Sequence, residues 1–261
     1  MPPSIQSTPI FPFRIALHPL LPALMTALLL TTSPATNAKE ISQTRKTFES
    51  GGRQIKVDVF APTSPGPHRQ VIVLPGAGGM LFDGPLVKRV ARALAKNGCA
   101  AHVVNYFNRT STLVAPNDAA MIENFSTWME TVNDAANWLA GSNEAPGSIG
   151  IYGYSLGGFL AVAVGSMNSN VGAVVEQSGG IWDKFHDPKQ PLPPVLVIHG
   201  KKDERVWFEK NTERMKRYVE RDGGKFYALF FEEEPHRFSD AAMNKVTEAA
   251  GEFFQEHLPD P

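Results

Sequence analysis

Three residue types in this chain could together carry acyl-transfer chemistry: a serine set among glycines, an acid and a histidine, met in that order. Ser155 lies in Gly153-Tyr154-Ser155-Leu156-Gly157-Gly158, Asp203 closes His199-Gly200-Lys201-Lys202-Asp203, and His236 lies in Pro235-His236-Arg237-Phe238. A serine hydroxyl is a poor nucleophile at neutral pH. It needs a base to take its proton, and a third group to orient that base and balance its charge. His236 would take the Ser155 proton and later deliver it to the leaving group. Asp203 would accept the imidazole N–H and stabilise the imidazolium. The other histidines are less well placed. His68 precedes the core strands, His102 is mid-strand, His186 lies in a proline-rich connection, and His257 is near the C-terminus. His199, just before Gly200, reads as packing beneath the acid turn. Asp183 is a weaker substitute acid, and Glu232-Glu233-Glu234 reads as a solvated charge run.

The glycine spacing around Ser155 has a steric reason. An apolar run, Ser148 to Tyr152, leads into it and a helical pattern, Phe159 to Met167, follows. A strand, a Gly-x-Ser-x-Gly turn and a helix make a nucleophile elbow, in which the serine occupies a strained turn that lifts its hydroxyl above the sheet edge. Glycines two positions either side let strand and helix pass closely. The alternative is a glycine-rich turn that only joins two elements. The tetrahedral intermediate would need two backbone donors. One follows the nucleophile, Leu156, and the other comes from the loop Pro75-Gly76-Ala77-Gly78-Gly79, from Ala77 with Gly78 as alternate. A phosphate-cradling reading of that loop fails, because no Lys-Ser/Thr pair follows it.

These residues must be positioned by regular elements, and the patterning supplies them. Gln54–Phe60 alternates like a half-exposed strand, and Val71–Leu74 is a β-branched run suited to a strand buried on both faces. Helical spacing covers Gly84 to Lys96, and a strand is predicted over Ala100–Tyr106. A long helix follows, with Phe125, Trp128, Met129, Val132, Ala136 and Leu139 on one apolar stripe. After the elbow come strands at Val171–Val175, Pro194–Ile198 and Phe226–Phe231, a polar helix over Trp207–Asp222, and a last helix carrying Met243, Val246, Ala250, Phe253 and Phe254. The connection from Glu176 to Pro194 has room only for a short helix around Trp182. Alternating strands and helices predict one α/β domain with a doubly wound, mostly parallel sheet. Its sites form beyond the carboxyl ends of the strands, where every motif above falls.

Composition narrows the partners. The chain has 261 residues and a formal net charge of −1, which points away from nucleic acid. Its single cysteine, Cys99, excludes an intramolecular disulfide and a cysteine metal cluster, and no metal or cofactor is called for. Residues 1–38 differ from the rest. Arg14 is the only charge before Lys39, and an apolar core from Leu20 to Leu30 precedes small residues. That is the layout of a signal peptide, with cleavage expected after Ala38 or, second, Ala35. The expectation is export to a bacterial periplasm or the medium, without stable membrane insertion of the cleaved chain. The organisation is then a leader (1–38), a lead-in (39–52) and a catalytic domain (53–258).

The motifs Val71-Ile-Val-Leu-Pro-Gly76, Gly150-Ile-Tyr-Gly-Tyr-Ser-Leu-Gly-Gly158, Val197-Ile-His-Gly-Lys-Lys-Asp203 and Pro235-His-Arg-Phe238 resemble the α/β-hydrolase superfamily, and within it the dienelactone hydrolase family. The resemblance implies the α/β-hydrolase fold without a large cap and a Ser155–Asp203–His236 triad. It also implies hydrolysis of small-molecule carboxylic esters or lactone-like acyl bonds. The family's namesake enzymes use cysteine where this chain has Ser155, which favours a general carboxylesterase over a dienelactone hydrolase. A peptidase or acyltransferase with the same triad, and a non-catalytic binding protein, are the rival readings. Met80, Leu81, Phe107, Trp182 and Trp207 are expected to wall an open substrate pocket. Arg109 could hold a substrate carboxylate, or be a surface arginine.

Overall fold

The first strand starts earlier than the expected Gln54. In the computed structural model, which describes residues 40–142, 148–185, 191–221 and 223–260, most of the lead-in is strand β1 (Ile41–Ser50). It pairs antiparallel along its whole length with β2 (Arg53–Pro62) through the two-residue turn Gly51-Gly52. Its run of polar residues from Ser42 to Thr47, with Arg45 and Lys46 at the centre, hid it in the sequence. Such charges belong on an edge strand, where they discourage pairing with another chain. The expected leader, His186 and Asp222 lie outside the described residues.

The remaining strands are β3 (Arg69–Leu74), β4 (Cys99–Val104), β5 (Ile149–Tyr154), β6 (Val171–Gln177), β7 (Val195–Gly200) and β8 (Phe226–Phe231). They form one sheet of order β1-β2-β4-β3-β5-β6-β7-β8, parallel from β4 to β8. The antiparallel β2 joins β1 to β4. From β3 the chain winds outward to β4, then crosses back to β5 on the other side. The carboxyl ends of β3 and β5 therefore open a crevice at the reversal of winding, where sheets of this kind place their sites.

Helices cover both faces. The helices α2 (Gly84–Lys96) and α6 (Asp240–His257) pack one layer of core, with Val87, Val90 and Leu94 against Val246, Phe253 and Phe254. On the other face lie α3 (Asp118–Ala140), α4 (Leu156–Gly165) and α5 (Phe208–Arg221). The α3 stripe buries Phe125, Trp128, Val132, Ala136 and Leu139, while Met129 is only half-buried. Asn117 starts this helix by accepting the Ala120 amide at 3.0 Å. Every residue of α4 is buried, as an elbow helix between a sheet and an outer layer must be. Among the described residues, no helix is long and apolar enough to cross a membrane.

Two boundaries differ from expectation near the crevice. The strand predicted to Tyr106 stops at Val104, and Tyr106–Arg109 form a single 3-10 turn. The elbow helix starts at Leu156, not Phe159, so Gly157 and Gly158 belong to it. A further one-turn helix, α1 (Gly79–Phe82), stands between β3 and α2. The connection after β6 holds a 3-10 turn at Asp183–Phe185 and no larger element among its described residues.

Candidate active site

The Ser155 turn is what the glycine spacing implied. Ser155 has φ 52° and ψ −119°, a left-handed conformation that L-residues adopt only when the surroundings enforce it. The enforcement is visible in the neighbours. A β-carbon on Gly153 would lie 2.0 Å from the Gly157 carbonyl oxygen, and one on Gly157 would lie 2.6 Å from that of Pro75. Strand, turn and helix touch backbone to backbone, so no side chain fits and Ser155 is pushed outward. The Ser155 amide donates to Gln177 O at 2.8 Å, which fastens the turn to β6.

The three separated residues meet above this turn. Ser155 Oγ lies 3.0 Å from His236 Nε2, and His236 Nδ1 lies 2.8 Å from Asp203 Oδ2. Asp203 follows β7 in a tight turn, its amide bonded to Gly200 O at 3.1 Å. Its Oδ1 accepts the Arg205 and Val206 amides, both at 2.9 Å. Its Oδ2 is also 3.1 Å from His199 Nε2, so His199 supports the acid from below. Burial pushes the Asp203 carboxyl up, but the hydrogen bonds from His199 and His236 overcome it and hold the group well below the usual carboxylate range. Asp203 is therefore an anion pointed at the imidazole.

Two other features hold the histidine loop. The Lys202 amide donates to Glu234 O at 3.1 Å, tying the acid turn to the chain just before His236. The Glu234 carboxylate accepts the Ser239 amide at 2.7 Å and its hydroxyl at 2.6 Å, bridging the loop at the start of α6. Of the supposed charge run, Glu232 and Glu233 do pair in the open with Lys201 and Lys202, whereas Glu234 is structural. Asp183 pairs with Tyr218, at 2.9 Å, and with Arg214, outside the cleft.

The backbone donors separate clearly. The Gly78 amide is taken by Asp83 Oδ2 at 3.0 Å, so it is not free for an oxyanion. The Ala77 and Leu156 amides have no protein acceptor among the described residues, and both residues line the cleft beside Ser155. Together with the N-terminus of α4, they make a place where developing negative charge is favoured.

The cleft has two lobes meeting at Ala77, Ser155 and His236. One, of about 450 Å³, runs past Gly78, Phe82, Asp83, Tyr154 and Arg237. The other, of about 420 Å³, is walled by Met121, Leu156, Phe159 and Trp182. Arg205 borders both. Of the five expected wall residues, only Trp182 lines either lobe. Phe107 is buried against Tyr106 and Trp128, because the chain turns inward after β4. The single turn of α1 presents Phe82 to the cleft, leaving Leu81 exposed elsewhere and Met80 packed toward α2. Trp207 is exposed in a separate hollow with Lys201 and Phe208. Arg109 lies beneath Gly51 and near Glu130, at 3.7 Å, and lines neither lobe.

Sequence reading missed Asp83, Arg205, Arg237 and Glu176. Glu176 sits fully buried on β6 and accepts the Gly179 amide. Burial pushes its carboxyl up to about 7, despite the opposing charge of His199. Asp83 stands at the residue before α2, yet its side chain makes no cap hydrogen bond. Burial and then the Asp83 charge push the Tyr154 phenol up to about 12.

Known proteins place this geometry in context. The pattern of the dienelactone hydrolase family matches residues 55–258. Mitochondrial acyl-coenzyme A thioesterase 2 of Rattus norvegicus is 29% identical over 152 residues, which is 57% of this chain and 31% of that one. The chain thus matches about a third of the length of this relative. The crystal structure of dienelactone hydrolase from Anabaena variabilis superposes with TM-score 0.69 at 18% identity, covering 84% of this chain and 99% of that one. Est1E from Butyrivibrio proteoclasticus superposes with TM-score 0.65 at 17% identity, covering 81% and 98%. The likeness to both structures is one of fold, and the fold is that of the α/β-hydrolases.

Proposed function

Because this chain belongs to the dienelactone hydrolase family and its Ser155 hydroxyl lies 3.0 Å from His236 Nε2, we propose that it is a serine hydrolase cleaving small carboxylic esters through an acyl-enzyme. His236 removes the Ser155 proton as the hydroxyl oxygen attacks the carbonyl carbon. Asp203 steadies the imidazolium so formed, and the Ala77 and Leu156 amides bind the oxyanion. His236 then protonates the leaving alkoxide. A water activated by the same imidazole releases the acid and restores the hydroxyl.

The observation that carries this reading is the unbroken Ser155–His236–Asp203 relay with hydrogen-bond contacts of 3.0 and 2.8 Å. Cleft lobes of about 450 and 420 Å³ suit substrates of modest size. The match to acyl-coenzyme A thioesterases favours short acyl thioesters as a second substrate group. They pass through the same tetrahedral intermediate. The test is labelling by a fluorophosphonate probe together with turnover of p-nitrophenyl acetate and butyrate. Wild type labels and turns over both esters, and Ser155→Ala does neither. Full turnover by Ser155→Ala refutes the reading. Aminoacyl amides cleaved faster than esters would make the chain a peptidase instead.

A further inference from the structure

We propose that Asp83 is a positioning residue for acyl transfer, holding the loop that presents the Ala77 amide and tying it, through Arg237, to the segment that carries His236. This deepens the serine-hydrolase reading and rests on it.

The argument begins with an acid in an unusual place. Asp83 occupies the residue before α2, where an aspartate would ordinarily accept a helix amide. It makes no such bond, and it is only 5% exposed. A buried carboxylate needs partners, and this one has two. Its Oδ2 accepts the Gly78 amide at 3.0 Å, and its Oδ1 accepts Arg237 Nη2 at 2.7 Å. The same guanidinium nitrogen donates to Phe82 O at 3.2 Å.

The Gly78 amide belongs to the peptide group that also contains the Ala77 carbonyl. That group is planar, so its two polar ends point in opposite directions. The carbonyl end accepts the Ala115 amide at 2.8 Å while the amide end is held by Asp83. The next peptide back is held too. The Gly76 carbonyl accepts the Gly79 amide at 2.9 Å, which turns the Ala77 N–H of that group to the opposite side. One plane fixed at both ends and the preceding one fixed at its carbonyl leave Ala77 little freedom about its own φ and ψ. Its amide direction is set before substrate arrives, which is the condition for an oxyanion donor to be effective. The loop closes tightly over the carboxylate. A β-carbon on Gly78 would lie 2.8 Å from Asp83 Oδ2.

Charge makes the second half of the argument. Asp83 lines the same lobe as Ser155. An unpaired carboxylate there would oppose the negative charge that develops on the substrate oxygen. Arg237 neutralises it from the residue next to His236, so the pair also links the oxyanion loop to the base. Removing either partner harms the transition state more than the ground state. Removing Arg237 alone leaves a buried anion beside the oxyanion.

The test uses Asp83→Asn, Arg237→Gln and the double variant in the full chain, with p-nitrophenyl esters and a boronic acid as tetrahedral mimic. Asp83→Asn is expected to lower kcat by about ten- to a hundredfold, less than outright loss of an oxyanion donor, with KM within about twofold. Boronic acid affinity falls by a similar factor. Arg237→Gln lowers kcat comparably, and the double variant loses less than the product of the two single losses. A purely structural pair would show a lower melting temperature with kcat and boronate affinity unchanged below it. That outcome overturns the proposal, as does full additivity of the two substitutions. Should Asp83→Asn fail to fold, the kcat and boronate affinity of Arg237→Gln decide alone, and no change in either overturns it. Wild type that neither labels nor hydrolyses would refute the serine-hydrolase reading itself. Active wild type with an unaffected Asp83→Asn refutes only this inference.

Discussion

Replacing Asp203 by asparagine tests the relay at its most constrained point. All four partners of this carboxylate are donors: the Arg205 and Val206 amides on Oδ1, and His236 and His199 on Oδ2. Asparagine offers one oxygen for the two sides. With its oxygen toward the backbone amides, its NH2 faces His236 Nδ1. The imidazole must then present a lone pair there and carry its proton on Nε2, toward Ser155, where it cannot act as base. With the amide reversed, the working tautomer survives but two buried N–H groups lose their acceptor, at about 1–3 kcal/mol each. The first orientation keeps both backbone bonds and strands only the His199 contact, so it is preferred by about 2 kcal/mol. At roughly 1.4 kcal/mol per factor of ten, about one molecule in thirty holds the competent arrangement. That fraction also lacks the anion that stabilises the imidazolium, which costs at least about another tenfold and more if the site is dry. The expected loss in kcat is about a thousand- to ten-thousandfold, the upper end being the loss seen for the same change in a serine protease. Steady-state turnover of p-nitrophenyl acetate measures it, with circular dichroism to show the variant is folded. A folded variant within tenfold of wild type would mean that Asp203 is not the group orienting His236.

Two further substitutions probe the frame beneath the relay. Gly157→Ala places a β-carbon 2.6 Å from the Pro75 carbonyl oxygen and 2.7 Å from that of Leu74, backbone atoms at the start of the oxyanion loop and the end of β3. It should cost at least about 3 kcal/mol, read as a melting temperature lowered by several degrees or as insoluble protein. A normal melting curve would show that strand and helix are less tightly opposed than described. Glu176→Gln tests the buried acid. Its folded pKa of about 7 lies above the ordinary 4.5. Between those values the native chain keeps a proton that the unfolded chain has released, so stability falls as pH rises through that window, by about 3 kcal/mol. Glutamine should therefore raise the melting temperature at pH 8 and give no gain at pH 4.5. An equal effect at both would remove the titration argument.

How much of this could be read from the residues depended on which physics fixed each part. Spacing rules are local, so the Ser155 turn was legible, because only glycine tolerates backbone approaches of 2.0 to 2.6 Å at both flanks. The strands were legible for the same reason. Val71–Leu74 and Val195–Ile198 are buried on both faces, and nothing but apolar, largely β-branched side chains suits that position. Once the strand ends were known, chain order brought Asp203 and His236 to the rim beside Ser155. The edge strand β1 was not legible, since its mixed charges carry no burial signal. The cleft walls were harder still. Which of Met80, Leu81 and Phe82 faces substrate is decided by one helical turn, and a shift of a single residue rotates the answer by about 100°. Asp83 escaped for a different reason. It stands where an ordinary helix cap would, a place that by itself points to nothing distant, while its partners, Gly78 and Arg237, are reached only after β3, α1 and the segment before α6 have been assembled. An acid at a cap position that leaves the cap unmade is therefore a stronger pointer to a site than an aromatic at a loop tip. The first has given up an available local bond and is held in place by something distant, whereas the second needs no explanation beyond its own exposure.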